Sequence, residues 1–137
     1  MSMSRHHNIK LAVAFGTSGD LPEQYQVIDF NQESGYEAPD PDNVAFQLSL
    51  DIGIEGTGKT DVFQCIVVTR NNIGKIHKKE KLIVLNEYTF KKFREAILNT
   101  VRSCEGVNWY DSLSKLIRKF IWEYEGMYDE DEIKKLN

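Results

Sequence analysis

The chain is poor in cysteine, proline and histidine, carries no excess of basic residues and contains no long apolar run. Each shortage closes off a class of protein. The two cysteines, Cys65 and Cys104, stand far apart, with no metal-ligand spacing around either. Both lie in apolar-patterned segments, so they are expected to be buried thiols, neither bridged nor nucleophilic. His6 and His7 fall in a polar N-terminal stretch and His77 in a lysine-rich one, where Glu80 alone is too few partners for a metal. No apolar run reaches the length that spans a bilayer. Residues 1–10 lack the apolar centre of a signal peptide, which makes the cytoplasm the expected compartment, with no membrane as partner. The net charge is −4, with 17 Lys and Arg against 21 Asp and Glu. That argues against a nucleic-acid binder of the usual basic kind and suits a basic protein partner.

What is present is an ordinary globular composition, 41% hydrophobic and 28% charged. At 137 residues it makes a single domain, 1–137, with one core. Residues 9–15 (IKLAVAF) form a short apolar run closed by Gly16, Ser18 and Gly19, a first strand. Residues 24–30 (QYQVIDF) alternate less cleanly and suggest a second. Residues 31–43 are rich in Glu, Ser, Gly, Pro and Asp and read as an exposed loop. Phe46, Leu48, Leu50, Ile52 and Ile54 then alternate with Gln47, Ser49, Asp51 and Gly53, the pattern of a strand with one wet face. Residues 62–69 (VFQCIVVT) come after a glycine-containing turn and are apolar on both faces around 65–68, as in a central strand. The two strands read as an antiparallel hairpin. A polar, lysine-rich connection at 71–81 leads to another short strand, Leu82 to Leu85.

Two helices are expected next. Thr89 suits an N-cap, and Phe90, Phe93, Ile97, Val101 and Cys104 share one face of the helix behind it, which Glu105 and Gly106 close. The second is expected from Asn108 to about Tyr124, with Trp109, Leu113, Leu116, Ile117, Phe120 and Tyr124 along its apolar stripe and Gly126 as its stop. On that helix Trp122 falls nearly opposite the stripe, beside Arg118 and Lys115. Strands first and helices last predict an α+β domain, an antiparallel sheet with two C-terminal helices packed on one face.

Two features bear on chemistry. Residues 53–60 (GIEGTGKT) fit the G-x-x-x-x-G-K-S/T pattern of a phosphate-cradling loop. Such a loop needs a helix behind it, whereas β-branched, apolar residues come after Thr60, so the segment reads as a hairpin turn. Near the C-terminus, Glu123, Glu125, Asp129, Glu130, Asp131 and Glu132 surround Trp122, Tyr124 and Tyr128. Their plain reading is a solvated helix end, although carboxylates there oppose the helix dipole. The sharper reading is a partner surface, an aromatic anchor ringed by negative charge and suited to a basic protein. Its expected contacts are Trp122, Glu123, Glu125, Asp129 and Glu130. Paired catalytic carboxylates, in a small enzyme, are the alternative. A second acidic set, Asp40, Asp42, Asp51, Glu55 and Asp61, reads as ordinary turn and edge charge.

Three segments together resemble the immunity protein 8 family of bacterial toxin–immunity systems. They are PDNVAFQL at 41–48, IGIEGTGKTDVFQCIVVT at 52–69, and Cys104-Glu105 with Trp109, Leu116, Arg118 and the WEYEG run at 122–126. The resemblance covers about residues 38–126. It implies a cytoplasmic protein, not an enzyme, that binds a cognate toxin delivered by neighbouring bacteria, as in contact-dependent growth inhibition; the residues themselves suggest no cofactor and no metal. The partner implied is the toxin's C-terminal domain. Many such toxins are nucleases with basic clefts, and an acidic partner can cover the active site or substrate cleft much as nucleic acid does.

Overall fold

The long hairpin at the middle of the chain is the scaffold on which everything else is laid. A computed structural model describes residues 7–127. Within them the strands are β1 (Leu11–Thr17), β2 (Val27–Ile28), β3 (Ala45–Ile54), β4 (Asp61–Thr69), β5 (Leu82–Leu85) and β6 (Ile121–Trp122), and the helices are α1 (Phe90–Ser103) and α2 (Trp109–Lys119). Strand order is β2-β1-β3-β4-β5, with β6 also on β4. All pairings are antiparallel except β4 with β5. The fold is the expected α+β arrangement of sheet and two helices. The parallel β5 arises from the connection at 70–81, long enough for the crossover that a parallel return needs and partly wound as a 3-10 turn over Arg70–Lys75.

Alternation in β3 sets the layers. Phe46, Leu48, Leu50 and Ile52 stand opposite Val67, Cys65, Phe63 and Asp61, and the apolar members of these pairs are buried. They meet Phe90, Phe93, Ile97 and Val101 of α1 and Leu113 and Leu116 of α2 in one core cluster. Both helices therefore lie on the inner face, while Gln47 and Gln64 of the other face stay in water. Burial of β4 on both faces holds at Val67 and Val68. The helices begin where their caps are: Thr89 Oγ1 accepts from the Lys92 N–H at 3.1 Å, and Asn108 Oδ1 from the Asp111 N–H at 2.8 Å.

Two elements and one glycine differ from expectation. The second strand is only Val27–Ile28, because Glu23–Tyr25 wind into a 3-10 turn behind Pro22. α2 stops at Lys119, well short of Tyr124. Gly126, at φ +84°, belongs to a turn after β6 and does not stop a helix.

The phosphate-loop pattern is a hairpin turn. Gly56 and Gly58 take φ +83° and +72°, the Thr57 hydroxyl donates to the Ile54 carbonyl at 2.8 Å, and a strand comes next. Lys59 is exposed. Chemical denaturation should therefore show Lys59→Ala within about 0.5 kcal/mol of the parent. Gly56→Ala and Gly58→Ala should each lose about 1 kcal/mol, the cost of a Cβ in the left-handed region. A large loss at Lys59 with silent glycines would contradict the turn.

Candidate functional site

The C-terminal segment places its tryptophan inside. β5 covers β4 only along Ile66–Thr69, which leaves the same edge of β4 open earlier in the strand. β6 fills that gap, with Ile121 opposite Gln64 and Trp122 opposite Phe63, and the Glu123 N–H donating to the Val62 carbonyl at 3.0 Å. The chain leaves the helix at Phe120, extended at φ −136° and ψ 162°. Phe120 and Trp122 are then buried at alternate positions, 0% and 3% exposed, with Tyr124 at 37%. Trp122 is thus not an exposed residue on the polar side of α2. Its Nε1–H donates to Asp61 Oδ2 at 3.0 Å, and the Tyr124 ring meets it edge-on at 5.2 Å.

Of the expected contacts, Glu123 and Glu125 are exposed. They sit on a turn fixed by the Glu125 N–H to the Trp122 carbonyl and the Met127 N–H to the Tyr124 carbonyl, both 2.9 Å. Asp129 and Glu130 lie outside the described residues. The second acidic set disperses. Asp40 Oδ1 receives the Asp42 N–H in a local loop turn, Asp51 receives the Thr60 hydroxyl at 3.3 Å, and Glu55 faces water on the hairpin turn. Among the described residues, only Asp61 of this set joins the C-terminal segment, through the indole bond. Nothing in the residue pattern marks that pairing, which joins positions 61 residues apart.

Asp61 also lines a cleft of about 470 Å³ between the β3–β4 turn and the α1–α2 connection. Ile9, Ile54, Val107 and Trp109 supply its apolar walls, and Lys59 lines it as well. Gly53 closes the hairpin side: a Cβ there would meet the Lys59 carbonyl, so strand and turn touch backbone to backbone. The opposite side is tied by the Ile9 N–H to the Gly106 carbonyl and the Leu11 N–H to Glu105 Oε2, both 2.8 Å. Ile9, the hairpin and the α1–α2 connection, distant in sequence, surround one hollow.

The cysteines offer no chemistry. Both are free and buried. Burial pushes the Cys65 thiol up to about 12 and raises Cys104 against the small opposing pull of Ser103, Lys119 and Lys115, so neither forms the reactive thiolate at neutral pH. His77 Nδ1 accepts from the Lys79 N–H within its own loop. Among the described residues there is no group of three or more metal-ligating side chains and no helix long and apolar enough to cross a membrane.

The family model described as immunity protein 8 matches residues 23–127. The chain belongs to that family. The match starts earlier than residue 38, so it takes in β2, the loop at 31–43 and the lysine-rich connection as well as the hairpin and the C-terminal run. No curated protein and no solved structure matches the chain significantly. As a member of the immunity protein 8 family this is a toxin–immunity protein, and its partner is a cognate toxin protein. The WEYEG run at 122–126 that marks the resemblance contains both the buried Trp122 and the exposed Glu123 and Glu125.

Proposed function

We propose that this immunity protein neutralises its toxin in the cytoplasm by binding the toxin's C-terminal domain and covering the active site or substrate cleft. The acidic turn after β6 is the contact we assign, through Glu123 and Glu125 and, beyond the described residues, Asp129 and Glu130. The observation that supports this is the way the turn is held: two exposed carboxylates stand on a backbone tied to β4 and to the buried Trp122. Trp122 serves the surface from beneath, by fixing the turn and the Tyr124 ring. Preset charge favours fast, specific capture of a basic surface, such as the substrate cleft of a nuclease. We assign the chain no reaction. Glu123 and Glu125 lie open to water on a turn, which does not favour paired acid–base chemistry.

Calorimetric titration against the C-terminal domain of the protein encoded immediately upstream tests the contact. The double variant Glu123→Lys/Glu125→Lys is expected to raise Kd roughly 10- to 100-fold at low salt, by exchanging attraction for like-charge repulsion. The difference should shrink as salt rises. An unchanged Kd removes the acidic turn from the interface.

A further inference from the structure

We infer that the cleft between the β3–β4 turn and the α1–α2 connection receives an apolar side chain of the toxin, presented beside a lysine or arginine that pairs with Asp61. This rests on the reading of the chain as a toxin-binding protein and says where and with what chemistry it binds.

The cleft, about 470 Å³ in volume, lies within the range of roughly 300–1,000 Å³ typical of binding hollows. Its walls are apolar and come from three separate segments, with Ile9, Ile54, Val107 and Trp109 facing inward. Val107 is 52% exposed at the rim, a branched apolar side chain left in water on a loop that the core does not need. The two charges at the cleft differ. Lys59 is exposed, whereas Asp61 is half-buried and held in place by the Trp122 indole at Oδ2. Asp61 Oδ1 takes no hydrogen bond, and its carboxylate forms no ion pair, among the described residues. The charge that an incoming group meets in fixed position is therefore negative, with an oxygen available.

The same indole bond ties a residue that lines the cleft to the strand that carries the acidic turn. Trp122 touches Asp61 on one side and carries Tyr124 on the other, so one basic surface can reach both Asp61 and the exposed Glu123 and Glu125. An apolar residue seated in a hollow, with a cation closing on a partly desolvated carboxylate, is the composition of an interface hot spot. A partner with the opposite charge would face Asp61, Glu123 and Glu125 together.

The test uses the full chain and the upstream-encoded toxin C-terminal domain as probe, read by calorimetry, with thermal melts to confirm folding. Val107→Arg blocks the mouth and repels a cation, while the core is left alone; it should raise Kd about 100-fold or more, the scale of a hot spot. Val107→Ile should bind as the parent does. Asp61→Asn keeps an oxygen for the Trp122 N–H and removes only the charge; it should raise Kd about 10-fold and flatten the salt dependence. Wild-type affinity in Val107→Arg overturns the cleft as the docking site. A loss in Lys59→Ala with a silent Asp61→Asn overturns the cationic occupant. If the parent chain binds the toxin and only the Glu123→Lys/Glu125→Lys variant fails, the immunity reading stands and the cleft falls. If the parent chain does not bind at all, both fall.

Discussion

Trp122→Ala is expected to lower the unfolding free energy by about 3–5 kcal/mol, the usual cost of deleting a large buried aromatic side chain. The residue is 3% exposed, it stands opposite Phe63, and Phe63 in turn packs edge-on against Phe120 at 6.4 Å. Removing the indole opens a void at the junction of β4 and β6 and leaves the half-buried Asp61 carboxylate without its donor. A second variant separates those two losses. Trp122→Phe retains most of the packing and removes the N–H, and should cost about 1–3 kcal/mol, the range for a hydrogen bond to a charged group. Combining it with Asp61→Asn should give less than the sum of the single effects, by about 1 kcal/mol, because the two substitutions remove one shared interaction. Strict additivity would mean that the bond contributes nothing. Hydrogen exchange gives an independent reading. The Glu123 amide is bonded to Val62 and should be protected in the parent chain, then exchange freely in Trp122→Ala. Since the acidic turn hangs from this strand, the same variant should also weaken toxin binding.

Phe93→Ala should cost a similar amount, about 3–5 kcal/mol, for a different reason. Phe93 is 1% exposed and is the ring on which four others converge: Phe30 at 5.6 Å, Phe46 at 5.5 Å, Tyr88 at 5.9 Å and Phe90 at 6.0 Å. It thereby joins α1 to β3 and to the strand-free segment between β2 and β3. Tyr88 extends the connection, donating its hydroxyl to the Tyr36 carbonyl at 2.8 Å and its N–H to the Pro41 carbonyl at 2.8 Å. Without Phe93 the loop at 31–43 should lose exchange protection together with α1. Phe93→Leu, which keeps more of the volume, should cost distinctly less. Equal losses in the two variants would show that the ring geometry carries no more than bulk. A shift on the order of 10 °C or more in Tm is expected for the alanine variant.

The inner face of β3 was legible because one residue in two is apolar, a signal carried by consecutive positions. α1 was legible for the same local reason: Thr89 caps it, and four of the five residues on its apolar stripe are buried within the helix, the fifth, Cys104, at its cap. The false phosphate loop was resolved by the strand-forming residues directly behind Thr60. The end of α2 was another matter. Phe120 falls on the helical stripe and, with Trp122, also fits a two-residue period, so the local pattern serves helix and strand alike. What selects the strand is the open edge of β4, whose existence depends on where β5 stops pairing.

The candidate site divides along the same line. The net charge of the chain was compatible with a basic protein partner, and the WEYEG run marked the C-terminal segment. Both are properties of the residues in sequence order. That Glu123 and Glu125 stand in water while Trp122 is turned inward depends on a ladder between residues some sixty positions apart. The cleft was invisible for the same reason, since its walls come from the segment before β1, the β3–β4 hairpin and the connection between the helices. The sequence by itself determined the strands and helices with clear periodicity, the hairpin and the acidic character, because these are encoded within a few turns or a single strand. Only the tertiary structure decided the parallel placement of β5, the conversion of the last apolar stretch into β6 and the meeting of Asp61 with Trp122, because each depends on hydrogen-bonding edges and buried surface supplied by remote parts of the chain.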